Sequence, residues 1–273
     1  MKSHQSQPSR LRFRKLAALL ILVASEAAAH DTWILPARLA VPKGAEILLG
    51  ATSGMSFPAL DVAIQPDRIS VARVRLAGRT GKIPRRTGAE HSLRLAVRPE
   101  GEGIACVWIE SKPKSIDLKP DQVREYLEEI GALDTVGKEW SAAGSAGRWR
   151  EIYTKHAKTF VAVGAAEGDR SWAEPAGMRL EIVPEADPTR LRANGEVSVR
   201  LLKEGRPLPG FPVGMVQAGQ KTGEVRKTDA NGRVSFTPDR KGWILLRATD
   251  LRRAGSPEAD WESDFATLTL QVE

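Results

Sequence analysis

The chain has 273 residues, a formal net charge of +7, 41% hydrophobic side chains, 24 Gly, 17 Pro and a single Cys. At roughly 100 to 200 residues per domain this is one large domain or two small ones, and the aliphatic, Gly- and Pro-rich composition excludes a coiled coil, a collagen and a wholly disordered chain. With Cys106 alone there is no internal disulfide and no Cys-x-x-Cys zinc or redox centre, so a metal site must draw on His, carboxylates or the chain terminus.

Lys2, Arg10, Arg12, Arg14 and Lys15 form a basic start, Leu16 to Ala24 an apolar run of nine, and Ala27-Ala28-Ala29 a small-residue cleavage signal. This pattern predicts a cleaved secretory signal over 1–29, a periplasmic mature chain and His30 as its N-terminus. Arg10 and Arg12 are separated by Leu11, which favours ordinary secretion over the twin-arginine route. Nine apolar residues are too few for a bilayer core of about 30 Å, and no later run approaches the length required, so no stable membrane insertion is expected. Five of the 41 Lys and Arg and one of the 34 acidic residues leave with the signal; the remaining 36 basic and 33 acidic residues give +3. The densest basic stretch, Arg68 to Arg98, alternates with apolar residues, as in Arg73-Val74-Arg75-Leu76 and Leu93-Arg94-Leu95. Such spacing is the outward face of half-buried strands, so no nucleic-acid partner is expected.

Past the signal, short extended segments are punctuated by Gly and Pro. Glu46 to Leu49, Ile69 to Leu76, Leu93 to Val97 and Ile104 to Ile109 read as strands, with 78–88 a long hairpin connection. The period then changes: Pro120 opens a helix whose Val123, Tyr126, Leu127 and Ile130 recur at i, i+3, i+4, i+7 before Gly131. Residues 134–148 are small and Gly-rich and read as a loop. Residues 150–164 fit both periods, and a short helical turn passing into a strand is the expectation, which places a helical insertion near 117–160. The Pro-rich stretch 167–188 is the expected boundary, with Met178 to Val183 completing the first sandwich.

The last ninety residues alternate cleanly. Glu196 to Leu201, Val234 to Phe236 behind an Asn231-Gly232 turn, Gly242 to Arg247 and Phe265 to Val272 are strands. The predicted fold is therefore mainly β: an antiparallel β-sandwich over 30–185 with a helical insertion, and an immunoglobulin-like or prealbumin-like sandwich over 190–273.

The opening His30-Asp31-Thr32-Trp33-Ile34-Leu35-Pro36, the middle Glu110-Ser111-Lys112-Pro113 and Tyr126 to Leu133, the stretch Glu151 to Lys158 and the close Trp261 to Leu270 together resemble a bacterial periplasmic family of unknown function associated with NikM-like nickel or cobalt uptake. The resemblance implies a periplasmic β-rich protein with a transition-metal role, acting as an accessory to a membrane metal transporter or an outer-membrane receptor.

The residues offer one route to that chemistry. Cleavage after Ala29 gives His30 a primary α-amine beside its own imidazole, and the two can chelate one nickel, cobalt or copper ion. Against this stands the possibility that His-Asp-x-Trp only anchors the terminus in a sheet. Two further histidines survive processing, His91 and His156, and a closed protein site needs three or four ligands, so His30, His91 and His156 are the candidate set, with Asp31, Glu110 and Glu151 able to complete it. Cys106, in an alternating strand beside Trp108, is expected as a buried inert thiol. No nucleophile elbow, His-Glu-x-x-His, phosphate loop or dinucleotide fingerprint is present, so no enzyme class is indicated. The alternative is a metal-free periplasmic module that binds a ligand or a protein through its sandwiches.

Overall fold

A computed structural model describes residues 30–142, 149–220 and 222–273. The expected signal segment, 1–29, lies outside the described residues. The strands are β1 (Asp31–Pro36), β2 (Ala40–Val41), β3 (Ile47–Gly54), β4 (Val62–Ala63), β5 (Ile69–Leu76), β6 (Arg79–Lys82), β7 (Arg85–Gly88), β8 (Leu93–Val97), β9 (Gly103–Ser111) and β10 (Lys114–Leu118). After helices α1 (Pro120–Glu129) and α2 (Lys138–Ala142) come β11 (Trp149–Val163), β12 (Leu180–Pro184), β13 (Val197–Lys203), β14 (Arg206–Pro207), β15 (Pro212–Gln217), β16 (Glu224–Lys227), β17 (Arg233–Phe236), β18 (Gly242–Arg253) and β19 (Trp261–Val272).

These strands form three sheets. The first has the order β1-β3-β8-β7 with β4 on β3; the large one runs β16-β15-β18-β19-β11-β9-β5-β6; the third is β12-β13-β14 with β17 on β13. The large sheet is the middle layer, and its central strands face two cores at once. Ala105, Val107 and Ile109 of β9 pack with Ile34, Leu49 and Leu95 of the first sheet. Their neighbours Ile104, Cys106 and Trp108 pack instead with Val199, Leu201 and Phe236 of the third. Seven consecutive residues of β9 are therefore buried, the pattern of a strand covered on both faces.

The two expected sandwiches thus share their central sheet. The join is the parallel pairing of β11 with β19, from Glu151↔Trp261 to Thr159↔Thr269. The segment at Met178 to Val183, expected to finish the first sandwich, instead becomes β12 and pairs with β13. Residues 78–88 are also more than a connection. They supply β6 to the middle sheet and β7 to the first, so one short ribbon ties the edges of two layers together.

The helical insertion is shorter at its far end than expected. Trp149–Val163 is strand throughout, pairing with β10, β19, β9 and β2, and the helical spacing of Trp149, Ile152, Tyr153 and His156 is incidental. Conversely, part of the expected loop is helical: Leu133–Gly137 is a π-helical turn that runs into α2, because Leu133, Val136 and Trp140 lie within helical reach of one another and pack on one cluster. The remainder, 143–148, lies outside the described residues. Helix α1 begins at Pro120 with the Gln122 side chain accepting from the Lys119 amide at 3.0 Å, and ends before Gly131, whose φ of 70° lies in the left-handed region that favours glycine. It buries Val123, Tyr126 and Leu127 against Trp149 and Trp261, which stack at 4.7 Å.

Candidate functional site

Strand β11 carries the charged residues that matter most, and its two-residue period sorts them onto opposite faces of the middle sheet. On the face toward the third sheet lie His156 and Lys158. The His156 ring is 3.0 Å from Asp264 through Nε2 and 3.1 Å from Glu110 through Nδ1. Both neighbours are carboxylates, so the geometry is satisfied when each ring nitrogen carries a proton. Burial works against that charge, yet the hydrogen bonds to Asp264 and Glu110 outweigh it and raise the His156 pKa. Burial likewise favours neutral Asp264, and the bond to His156 with the charges of Arg252 and Arg179 lowers it all the same. Two residues along, Lys158 Nζ donates to Glu181 at 2.6 Å, with both side chains almost wholly enclosed. Glu181 also accepts from the amides of Ala176 and Gly177 at 2.7 and 2.9 Å. Its carboxyl is lowered although burial opposes this.

The opposite face has different partners. Glu151 accepts from Tyr126 at 3.0 Å, from the Trp149 indole at 2.8 Å and from Ser263, all uncharged donors. Burial raises its carboxyl despite them, and burial with the nearby Glu151 charge pushes the Tyr126 phenol well up. Lys155 donates to the His30 carbonyl and lies 5.4 Å from the Tyr153 ring centre and 5.6 Å from that of Phe265. Burial lowers its pKa to about 8. Beside it Arg247 Nη1 bridges Asp31 at 2.7 Å and Glu129 at 2.8 Å. Burial raises the Glu129 carboxyl against the pull of Arg247. Asp31, Glu129 and Arg247, with Gly214 and Phe265, line a cleft of about 30 Å³, room for a water-sized guest or two.

A profile for a domain of unknown function, DUF4198, matches residues 27–250, most of the chain. The chain belongs to the DUF4198 family. No curated protein matches it. Among solved structures it is similar to the D0–D1 domains of intimin, at 13% identity over 88% of this chain and 97% of that one, with a TM-score of 0.20. The Yersinia pseudotuberculosis adhesin InvE is similar at 12% identity, over 89% of this chain and 59% of its own length, TM-score 0.23. A Salmonella alpha-2-macroglobulin is similar at 13% identity, over 88% of this chain but only 15% of its own, TM-score 0.24.

In this DUF4198 chain the three candidate histidines occupy three separate places. His30 is half-buried at the start of β1, on the Lys155 side of the middle sheet. His156 is on the other side, with both nitrogens engaged by Glu110 and Asp264. His91 is exposed between β7 and β8, its Nδ1 3.2 Å from the Asp61 carbonyl. Among the described residues no group of three His, Cys, Asp or Glu side chains forms a metal cage. The carboxylates that might have completed one are dispersed as well: Glu110 goes to His156, Asp31 to Arg247, and Glu151 to Tyr126 and Trp149. Cys106 is buried in the core and its thiol is pushed up to about 11, chiefly by burial, which leaves it unreactive.

Lys155, Lys158, Glu181, Arg247 and Asp264 have no place in the sequence-derived candidate set. The available signal was Thr154-Lys155-His156-Ala157-Lys158, a polar run directly preceding the buried Phe160, Val161 and Val163 in one strand. Charges so placed are buried on both faces and must find partners.

Proposed function

We propose that this protein is a periplasmic accessory that binds a transition metal ion, nickel, cobalt or copper, as cargo through His30 at its processed N-terminus. The observation supporting this is the contact of Lys155 with the His30 carbonyl, which fixes the backbone of that residue immediately before Asp31, and Asp31 lines a small cleft with Glu129 and Arg247. The resemblance of the His30 to Pro36 opening to NikM-like uptake proteins points the same way.

A closed cage does not fit the described residues, so the chelate has to come from a single residue. A primary α-amine with a reference pKa of about 7.7 to 8.0 deprotonates onto a metal at little cost near neutral pH, and it joins the imidazole in one chelate ring. Nitrogen donors order the ions with copper tightest and nickel ahead of cobalt. Two protein donors leave positions open, which suits a carrier that hands its ion to a membrane metal transporter or an outer-membrane receptor. Asp31 supplies negative charge beside the site, and Lys155, with its pKa near 8, carries its positive charge only in part under mildly alkaline conditions.

The test is calorimetric titration of Ni(II) and Cu(II) into protein beginning at His30, compared with protein carrying one extra N-terminal Met. The extra residue acylates the amine and should weaken binding by about 100-fold, some 2.7 kcal/mol. His30→Ala should do the same, while His91→Ala should leave affinity unchanged. Because chelation displaces protons, affinity should rise between pH 6 and 9. Equal affinity for the two termini overturns the proposal.

A further inference from the structure

The outer face of the first sheet carries a groove of about 480 Å³, within the size range of sites that hold small organic ligands. Strand register builds it. Leu48 opposes Ala96 and Gly50 opposes Arg94, while on its other side Arg94 opposes Thr87, so these residues share one face. Gly50 leaves the gap. A Cβ there would stand 3.3 Å from Leu60 Cδ2 and 3.5 Å from Ser92 Oγ, so Leu60 lies across the sheet at this point with the Ser92 hydroxyl beside it. The apolar part of the lining is aliphatic throughout, without an aromatic ring, and Leu48 and Leu60 are 50% and 42% exposed.

The lining carries one uncompensated charge. Arg85 and Glu46 pair and cancel, which leaves Arg94, whose guanidinium makes no ion pair or hydrogen bond among the described residues. Ser92 adds an unused polar atom: it is only 5% exposed, yet its Oγ has no hydrogen-bond partner among the described residues. Hydroxyls so enclosed are ordinarily bonded, and a free guanidinium takes a carboxylate through two parallel N–H bonds. One net positive charge beside an aliphatic floor matches one carboxylate on an aliphatic chain. We propose that this groove binds an aliphatic monocarboxylate, with its carboxylate on Arg94 and Ser92 and its chain along Leu48 and Leu60. An acidic peptide fits less well, because it brings several charges to a lining that neutralises one. A bilayer of anionic lipid fits less well too, because it is met by protruding apolar side chains and here they border a recess. The proposal is independent of the metal site at His30.

The test is calorimetric titration of sodium decanoate, kept below micelle-forming concentrations, into the full chain in metal-free buffer. Binding should saturate at one decanoate per chain. From octanoate to decanoate to dodecanoate the affinity should rise about fourfold per step, the increment for two half-buried methylenes. Acetate, which has the charge without the chain, and decyltrimethylammonium, which has the chain with the opposite charge, should each bind at least about tenfold more weakly than decanoate. Arg94→Gln and Leu48→Ser, both at exposed positions, should each cost about tenfold in decanoate affinity, while Val225→Ser, at an exposed hydrophobic outside the groove, should cost nothing. Absence of decanoate binding, equal affinity for the cationic amphiphile, or unchanged affinity in Arg94→Gln would each overturn the proposal. So would an equal loss in Val225→Ser, or binding to phosphatidylglycerol vesicles without binding to decanoate.

Discussion

Neighbouring residues of β11 live under opposite electrostatic rules. On the third-sheet face every buried charge meets a counter-charge: His156 has Glu110 and Asp264, and Lys158 has Glu181. On the other face Glu151 meets hydroxyls and an indole, and Lys155 meets a carbonyl and two rings. The pKa directions divide accordingly. On the first face His156 is raised while Asp264 and Glu181 are lowered, all toward the charged form. On the second, Glu151 is raised and Lys155 lowered, both toward the neutral form. Ion pairs that satisfy one another hold layers together, whereas titratable groups left among neutral partners remain available for chemistry. That is the reason for placing the candidate site on the His30 and Lys155 side.

The largest effect should follow from removing one side of the shared sheet. Residues 190–273 produced alone would lose β11, β12 and the Ile104, Trp108, Phe160 and Ile182 part of their core. They should show no cooperative thermal transition, and a sharp calorimetric melt of that fragment would contradict the shared-sheet account.

Next comes Lys158→Met, which leaves Glu181 charged and enclosed without its cation. Denaturant titration should show a loss of about 3 to 5 kcal/mol, the cost of breaking a buried ion pair from one side.

A smaller, pH-dependent effect distinguishes His156. A raised pKa means that the folded state holds the proton more tightly, so this stabilisation is full below the reference value of 6.5 and fades as pH rises through the folded-state value. His156→Gln should be less stable than the parent at pH 5, and the gap should narrow as pH rises. A gap that widened with pH would contradict the ion-paired assignment.

At neutral pH the smallest effect belongs to Lys155, where the sign of the pH dependence reverses. Its lowered pKa disfavours the folded state while the amine is charged, so the parent should gain stability as pH rises from about 8 toward 10.5. Lys155→Met should abolish that rise and change stability at pH 7 by no more than about 1 kcal/mol, since an apolar replacement of a poorly paired buried charge is often neutral. Stability flat with pH in the parent over this range would argue against the neutral-partner environment.

Much of this was legible in the sequence. Alternation located β8 and most of β13 and β17, with the Arg73 to Leu76 end of β5, and Pro120 with the Val123, Tyr126, Leu127 spacing located α1, because an element covered on one face by its own core writes its period into the chain. The mainly β character followed from the same local signals, as did the inert burial of Cys106. What only the tertiary structure decided was everything that depends on two faces being covered at once. β11 and the N-terminal part of β19 lack a clean alternation, because the layers above and below ask for different residues and polar groups satisfy both. For the same reason the sequence could name His156 and Glu110 without pairing them through Asp264, which lies 108 residues further along the chain. Local periodicity records what one strand needs from its nearest layer. The parallel register of β11 on β19, and with it the division of charges between a bonded face and an open one, exists only once distant strands have met.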